Sequence, residues 1–214
     1  MDYMVYMEGE NMQNNLDLAS DESFYTSQKD FSTELVFHSH NVAHIAKQIT
    51  QEMGLSYQEQ EEVVFLAQLH DIGKSNTPSK ILYKPGKLTP QEWEIMKSHA
   101  EDSEKYLLES SGLYLNTCKK EYYGKVLRSH HEKYAGGGYP DNLKGEEIPF
   151  MSRIITIADV FEAITSPRIY RPNKIKNPLK VMDEEMGNSF DAYIYKNYAR
   201  KVITKYYKSM IKLS

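Results

Sequence analysis

The residues with the clearest chemical potential are histidines and acids that helical spacing turns toward the protein interior. At about 100° per residue, Leu35 and Ile45 fall within about 60° of His38, so this histidine shares the apolar face of its helix. Asp159 is the one acid inside the apolar run at residues 154–161. The full set on or beside predicted core-facing positions is Glu34, His38, His70, Asp71, His99, His130, His131 and Asp159.

These side chains need partners, because an unpaired carboxylate in a protein interior is very costly. Taken singly, each has a simpler structural interpretation as a helix cap, a surface histidine or a hydrogen-bonded core group. A cluster of cations would satisfy all of them at once, and eight nitrogen and oxygen ligands exceed what one tetrahedral zinc ion needs. The set therefore predicts two or three octahedral first-row ions, with iron or manganese as the natural candidates.

Other residues that could bind metal are less informative. His40 and His44 have the i, i+4 spacing that can share an ion, but they project to the polar side of their helix, near Lys47 and Gln51. We expect both on the surface. The single cysteine, Cys118, excludes an internal disulfide framework and a multi-cysteine zinc site.

The elements that must position the inward residues are helices. Apolar periodicity predicts them at about 30–53, 56–71, 89–108, 117–131 and 149–165, with shorter ones near 178–186 and 190–210. Capping boxes open the second and third of these helices, and Gly73 suits the end of the second. The helix at 149–165 is apolar almost all round, which places it in the middle of a core. No alternating strand pattern appears, so we predict an all-α, compact multi-helix bundle with the metal site in its core.

Composition limits the partners. The chain has 214 residues with a net charge of −4, which disfavours a general DNA- or RNA-binding protein. No apolar run is long enough to span a membrane, and the acidic N-terminus does not resemble a signal peptide, so we expect a soluble, cytoplasmic protein. We expect a loosely ordered extension at residues 1–28, followed by one domain at 29–214.

Four segments resemble a known family. HDIGK at 70–74, the stretch at 78–99, HHEKYAGGGYP at 130–140 and IADVFEAITSPRIYR at 157–171 are similar to the HD-GYP family, a branch of the HD-domain metal-dependent phosphohydrolases. The resemblance covers about residues 30–195. It implies an all-helical HD-GYP bundle that hydrolyses cyclic dinucleotides, chiefly cyclic di-GMP, to pGpG and often onward to GMP.

The resemblance also implies a role for each inward residue. The family's metal ligands match His38, His70, Asp71, His99, His130, His131 and Asp159. Asp71 is expected to bridge two metals, which could hold a hydroxide between them as the nucleophile at neutral pH. Glu34 matches a carboxylate that accompanies a third metal, so that either two or three divalent ions are expected.

Substrate-binding residues follow from the same resemblance. Lys74 is expected to contact the scissile phosphate, although it could instead complement the charge at a helix C-terminus. Gly138 would allow the backbone to approach the ligand closely, and Tyr139 matches a substrate-contacting tyrosine. Arg168 and Arg171 match a basic pair that grips guanine or phosphate.

Four positions depart from the family pattern without removing a ligand. Ala135 and Glu162 each stand where Asp is usual, Asn41 where Arg is usual, and Ile169 where Pro is usual. These departures bear on substrate choice and rate more than on metal binding.

Other functions remain open from the residues alone. The substrate could be another cyclic dinucleotide such as cyclic GMP-AMP, whereas the GYP segment and the Arg pair argue against a general nucleotidase. A further alternative is a weakly active cyclic-dinucleotide receptor that contacts protein partners such as diguanylate cyclases. A homodimer is a separate alternative for the oligomeric state. An intact ligand set argues against a pure receptor.

Overall fold

The fold is described by a computed structural model, which covers residues 33–111, 115–166 and 175–213. Within these ranges the chain is helical, and the only β-type pairing is an isolated bridge between Met186 and Phe190. The all-α prediction is therefore confirmed. No helix in the described ranges combines the length and apolar character needed to cross a membrane. The predicted extension at 1–28 lies outside the described residues.

The helices follow one another with short connections. The α-helices are α1 (Thr33–Met53), α2 (Tyr57–Leu69), α3 (Ser79–Leu82), α4 (Pro90–Lys97), α5 (His99–Glu109), α6 (Thr117–Arg128), α7 (Phe150–Thr165), α8 (Pro178–Glu185), α9 (Ala192–Ile194) and α10 (Arg200–Leu213). Short 3₁₀-helices cover Ile72–Asn76 and Gly145–Glu147, and a π-helical segment at Tyr195–Ala199 joins α9 to α10.

The core forms around α7, as its apolar sequence predicts. Ile154, Ile157 and Phe161 are fully buried, and α7 packs against α1, which in turn packs against α2. Helices α5 and α6 form a second contacting pair. This arrangement brings the ends of several helices to one side of α7, where the predicted ligands lie.

The predicted helix starts are confirmed. Ser56 and Glu59 form a capping box before α2, and Thr89 and Glu92 form another before α4, where Pro90 occupies the first turn. Each box satisfies backbone N–H groups that have no partner within the helix. These starts are local features, which is why sequence alone locates them.

The prediction of a single helix at 89–108 is wrong. The helix is interrupted at Ser98, where the backbone N–H donates to the carbonyl of Met96 and the hydroxyl donates to the carbonyl of Ile95 at 2.9 Å. Helix α5 then begins at His99, whose ring lies at the break rather than in the middle of a helix. The break therefore fixes the position of a predicted ligand.

Gly73 does not terminate α2, contrary to the sequence prediction. The helix ends at Leu69, and Gly73 lies in the following 3₁₀-helix with its N–H donating to Ser103 Oγ at 2.9 Å. A Cβ at this position would lie 2.2 Å from the His99 carbonyl oxygen and 2.5 Å from the Ser103 nitrogen. Gly73 is thus required by the close approach of this segment to α5.

We expect Gly73→Ala to destabilise the protein by about 2 kcal/mol or more, because the added methyl group overlaps backbone atoms that cannot move independently. Thermal unfolding measures the effect. Gly124→Ala is the control, since its Cβ would meet only side-chain atoms, those of Glu104 at 3.2 Å and Leu108 at 3.6 Å. That variant should stay within about 1 kcal/mol of wild type, and equal stability of the two variants would contradict the packing argument.

Candidate metal centre

Seven of the eight predicted ligands converge in the interior. They form two adjoining groups in which the possible ligand atoms all lie within 4.8 Å of one another. The first group is Asp71, His99, His130 and His131, and the second is His38, His70 and Asp159. The residues come from α1, the ends of α2 and α6, the start of α5, and the middle of α7.

Asp71 lies between the two groups and faces each with a different oxygen. Its Oδ1 is 3.3 Å from His99 Nε2 and 3.8 Å from His130 Nε2. Its Oδ2 is 3.5 Å from His38 Nε2 and 3.4 Å from His70 Nε2. This geometry suits a carboxylate that bridges two cations, as the resemblance implies.

Three of the histidines are oriented by the same local hydrogen bond. In each, the ring Nδ1 donates to a backbone carbonyl three residues earlier, at the C-terminal end of a helix where carbonyls lack partners within the helix. A carbonyl only accepts, so the proton is on Nδ1 and the Nε2 lone pair is left for coordination. The bonds are His70 to Ala67 (2.7 Å), His99 to Met96 (2.6 Å) and His130 to Leu127 (2.6 Å).

His38 lies inside a helix and is oriented by a carboxylate instead. Its Nδ1 donates to Glu162 Oε2 at 2.5 Å, and Glu162 Oε1 accepts from Asn41 Nδ2 at 3.3 Å and from Ser166 Oγ at 2.6 Å. A carboxylate behind a ligating imidazole holds the ring and raises its basicity. From the sequence, Glu162 is recognisable only as a departure from the family pattern. Its signal was the spacing of three residues from Asp159, which places both acids on one face of α7.

Two of the departures from the family pattern therefore touch each other. Asn41 stands where Arg is usual and Glu162 where Asp is usual, and their side chains form a hydrogen bond behind His38. Glu is longer than Asp and Asn is shorter than Arg, so the side chains of Glu162 and Asn41 still reach each other. These two departures bear on the position of His38, which makes them substitutions around a predicted metal ligand.

The residues present fit a bound cation. The Nε2 atom of His99 lies 3.3 Å from that of His130 and 3.1 Å from that of His131. Since His99 and His130 carry their protons on Nδ1, these two Nε2 lone pairs face each other. Among the described residues, the buried Nε2 of His70 and Oδ1 of Asp71 have no hydrogen-bond partner. A divalent ion would satisfy these atoms, and an all-nitrogen-and-oxygen set suits first-row metals.

Burial keeps the histidines in the state that metal binding requires. It lowers the pKa of His99 to about 4 and that of His131 to about 3. It also lowers the pKa of His70 and, more strongly, that of His130. All four imidazoles are therefore neutral near pH 7, and a neutral imidazole is the form that binds a metal.

The acids are held in their charged form. Burial would raise the pKa of Asp71, but Lys74 and the neighbouring histidines hold it well below its usual value. Burial would also raise the pKa of Asp159, but the hydrogen bond and charge of His38 hold that pKa below its usual value. The pKa of His38 itself is lowered by burial, yet its hydrogen bonds with Asp159, Asp71 and Glu162 outweigh that effect and raise it well above the usual value. The site thus carries negative charge that a cation would neutralise.

Lys74 lies at the edge of this centre. Its Nζ is 2.5 Å from Asp71 Oδ2, and its side chain is 17% exposed. The ammonium group is thus both next to the bridging carboxylate and reachable from solvent. A role at the metal centre fits this position better than simple complementation of the α2 C-terminus, because α2 ends five residues before Lys74.

The GYP loop forms one wall of the centre. The Tyr139 ring lies 4.8 Å from the His131 ring and 6.5 Å from the His99 ring, between centroids. Gly138 packs so tightly that a Cβ would lie 2.4 Å from the Lys133 nitrogen. Positive φ values occur at the two preceding glycines, Gly136 (90°) and Gly137 (78°), and are absent at Gly138.

Glu132 holds this loop in place and was missed by the sequence analysis. Its side chain is buried, and its carboxylate accepts the backbone N–H groups of Asp141 at 2.6 Å and Leu143 at 3.1 Å. The signal available was an acid directly after the two histidines. Together with the tight packing of Gly138, this fixes Tyr139 against the ligand cluster.

The remaining candidates lie elsewhere. Glu34 is exposed and belongs to neither group, so the expectation that it shares the buried face of α1 is wrong, and its role at a third ion stays a prediction. His40 and His44 are exposed, as predicted. Arg168 and Arg171 lie outside the described residues.

The metal-free protein should lose stability as the pH falls from about 6.5 to about 4. The folded-state pKa values of His99 and His131 are lowered, so in this range their imidazoles protonate in the unfolded chain and stay neutral in the folded one. Acid therefore favours unfolding. His38, whose pKa is raised, contributes its dependence above this range. Urea unfolding with a chelator, at several pH values, measures the slope.

The control for this pH dependence is a pair of variants. His99→Asn should reduce the slope, because it removes one of the groups, whereas His40→Asn at an exposed position should leave it unchanged. A free energy of unfolding that is constant over the range would contradict the burial of neutral histidines.

Comparisons with known proteins identify the family of this chain. The HD domain family model matches residues 14–194. A cyclic di-GMP phosphodiesterase of Thermotoga maritima is 32% identical over an alignment of 205 residues, and the match covers 87% of this chain and 54% of that protein. The 3'3'-cGAMP-specific phosphodiesterase 2 of Vibrio cholerae is 38% identical over 140 residues, or 65% of this chain and 26% of that protein.

A solved structure shares the fold. The HD domain of the L. monocytogenes phosphodiesterase PgpH, in complex with cyclic-di-AMP, superimposes with a TM-score of 0.61 at 17% identity, covering 88% of this chain and 96% of that one. The chain spans about half or less of the length of the two relatives above. With its family match, its buried histidine and aspartate cluster and its HDIGK and GYP segments, the chain belongs to the HD domain family, in the HD-GYP branch.

Proposed function

We propose that the protein is a metal-dependent phosphodiesterase that hydrolyses cyclic dinucleotides, with cyclic di-GMP as its main substrate and pGpG or GMP as product. One observation carries this proposal: Asp71 faces one buried ligand group with each of its oxygens. Two adjacent divalent ions are the arrangement that phosphodiester hydrolysis uses repeatedly. The names of the relatives support the substrate class.

The two groups of side chains support an assignment of ligands to each ion. We propose that one ion would be held by His99, His130 and His131 and the other by His38, His70 and Asp159, with Asp71 available to both. We propose iron as the native metal, with manganese as the alternative, since both accept imidazole and carboxylate ligands. When bound, such ions lower the pKa of water toward neutrality and neutralise charge on the phosphate.

The remaining work belongs to side chains around the ions. Lys74 supplies a positive charge beside Asp71, where it can bind a non-bridging phosphate oxygen. Tyr139 forms an apolar wall on the His131 side and restricts water there. We propose that Gly138, which has no side chain, lets the backbone of this wall approach the ligand closely. We also propose that Arg168 and Arg171 bind guanine or phosphate, as the family resemblance implies.

Cyclic GMP-AMP is the second candidate substrate. The Vibrio cholerae relative named for it supports this alternative. The contact between Asn41 and Glu162 lies behind His38, so these departures give no reason to prefer adenine over guanine. We therefore keep cyclic di-GMP as the main proposal. Protein partners such as diguanylate cyclases, and a homodimer, stay predictions.

Metal analysis tests the ligand assignment. We expect two or three ions per chain in the wild type. Asp71→Ala should lose the two ions that share the Asp71 carboxylate, because this carboxylate faces both ligand groups. Anaerobic purification followed by elemental analysis gives the stoichiometry.

Three matched variants complete this measurement. His40→Ala and His44→Ala, at exposed positions of the same helix, should keep the full metal content, and loss of metal in either would overturn the assignment. Glu34→Ala should hold about one ion fewer if Glu34 supports a third ion. Unchanged content in that variant would contradict a third ion that depends on Glu34.

Turnover tests the activity itself. The protein loaded with iron or manganese should convert cyclic di-GMP to pGpG or GMP faster than it converts cyclic GMP-AMP, and Asp71→Ala should lose activity together with metal. Chromatography of the products measures both rates. A higher rate with cyclic GMP-AMP would reverse the substrate preference, and no turnover of any cyclic dinucleotide at full metal occupancy would favour the receptor.

A further inference from the structure

Helix α4 has an unusual position in the fold. It is eight residues long and none of its residues is buried, although it connects the loop after α3 to the ligand-bearing start of α5. A helix normally buries one face against the core. The side chains of α4 therefore contribute little to the core and stand at the rim of the metal centre.

The single tryptophan of the chain lies on this helix. Trp93 is 45% exposed, and its ring meets that of Tyr139 at a centroid distance of 6.0 Å and an interplanar angle of 81°. Because Tyr139 in turn contacts His131, the indole is two ring contacts from a proposed metal ligand. The perpendicular arrangement means that the two rings do not stack on each other.

A cation accompanies the indole. Lys97 is one helical turn after Trp93, so the two share a face of α4, and its Nζ lies 5.9 Å from the centre of the Tyr139 ring. Its ion pair is with Glu94, at 2.9 Å, whose side chain is 71% exposed. Exposed pairs of this kind contribute little, so Lys97 can exchange its partner for a ligand anion.

We propose that Trp93 is a substrate-binding residue on which a base of the cyclic dinucleotide stacks, with Lys97 beside an adjoining phosphate. The inference rests on the proposed function and adds a base-binding position to it. A planar aromatic ring and a positive charge beside the ion-binding centre match a nucleotide, which carries a flat base and a phosphate. Stacking on an aromatic side chain tolerates any base, because every base has a π-face. Trp93 therefore adds affinity for the base of a dinucleotide without distinguishing guanine from adenine.

Intrinsic fluorescence tests the position directly, since the chain has only this tryptophan. In the metal-loaded wild type, guanosine 5'-monophosphate should quench the emission in a saturable way, with excitation at the red edge of the indole band where guanine does not absorb. Ribose 5-phosphate, which has the phosphate and lacks the base, should not quench it. Equal effects of the two ligands, or no quenching, would overturn the proposal.

Kinetics provide the second readout. Trp93→Ala should raise KM for cyclic di-GMP and for cyclic GMP-AMP by about tenfold each, which corresponds to about 1.4 kcal/mol, and change kcat by less than about twofold. Trp93→Phe should recover most of the loss, because it restores a ring. Tyr57→Ala is the matched control, because Tyr57 is 63% exposed and begins α2, at the opposite end of that helix from His70.

The outcomes separate this inference from the proposed function. If the wild type hydrolyses cyclic dinucleotides and Trp93→Ala keeps its KM, the stacking position fails while the activity stands. If no cyclic dinucleotide is hydrolysed, the proposed activity fails, and base-dependent quenching still supports a nucleotide-binding face on α4. A KM change for only one of the two substrates would contradict the base-tolerant role.

Discussion

The structure depends on the convergence of seven side chains, six buried and His131 partly buried, most of which present lone pairs or negative charge to one another. Imidazole nitrogens of His99 and His130 face each other at 3.3 Å, and Asp71 adds a carboxylate oxygen to each of two groups. Such an interior is unfavourable without a counterion, because low-dielectric surroundings strengthen repulsion and leave buried acceptors unsatisfied. A bound cation would therefore couple metal binding to folding, and it would help to hold the helices α1, α2, α5, α6 and α7 together.

Helix ends provide the means of arranging these ligands. His70, His99 and His130 each cap a terminal carbonyl through Nδ1, so one hydrogen bond satisfies the end of a helix and fixes the coordinating nitrogen. His38 lies within α1, where carbonyls are already paired, and it takes Glu162 as its partner instead. The orientation of His38 therefore depends on side chains of α1 and α7, whereas the other three rings are oriented by backbone carbonyls.

Rigid and exposed elements meet at the rim of the site. Glu132 and Gly138 hold the loop that carries Tyr139 against His131, while α4 stands beside it without a buried face. A rigid centre positions the reacting groups, and an exposed helix can offer side chains to a substrate. Residues that serve binding are found on such weakly packed segments, because core packing does not constrain them.

Sequence alone determined the features that local rules govern. Capping boxes predicted the starts of α2 and α4, and apolar residues all round α7 predicted that it lies at the centre of the core. The inward-facing histidines and acids predicted a cation site. Tertiary structure decided the rest, because it depends on contacts between residues distant in the chain. Ser98 interrupts a helix where His99 must turn toward Asp71, Gly73 is needed where two segments nearly touch, and Glu34 is exposed although its spacing suggested burial. Glu162 acquires its role only because α1 packs on α7, which brings His38 within reach of its carboxylate 124 residues later in the chain.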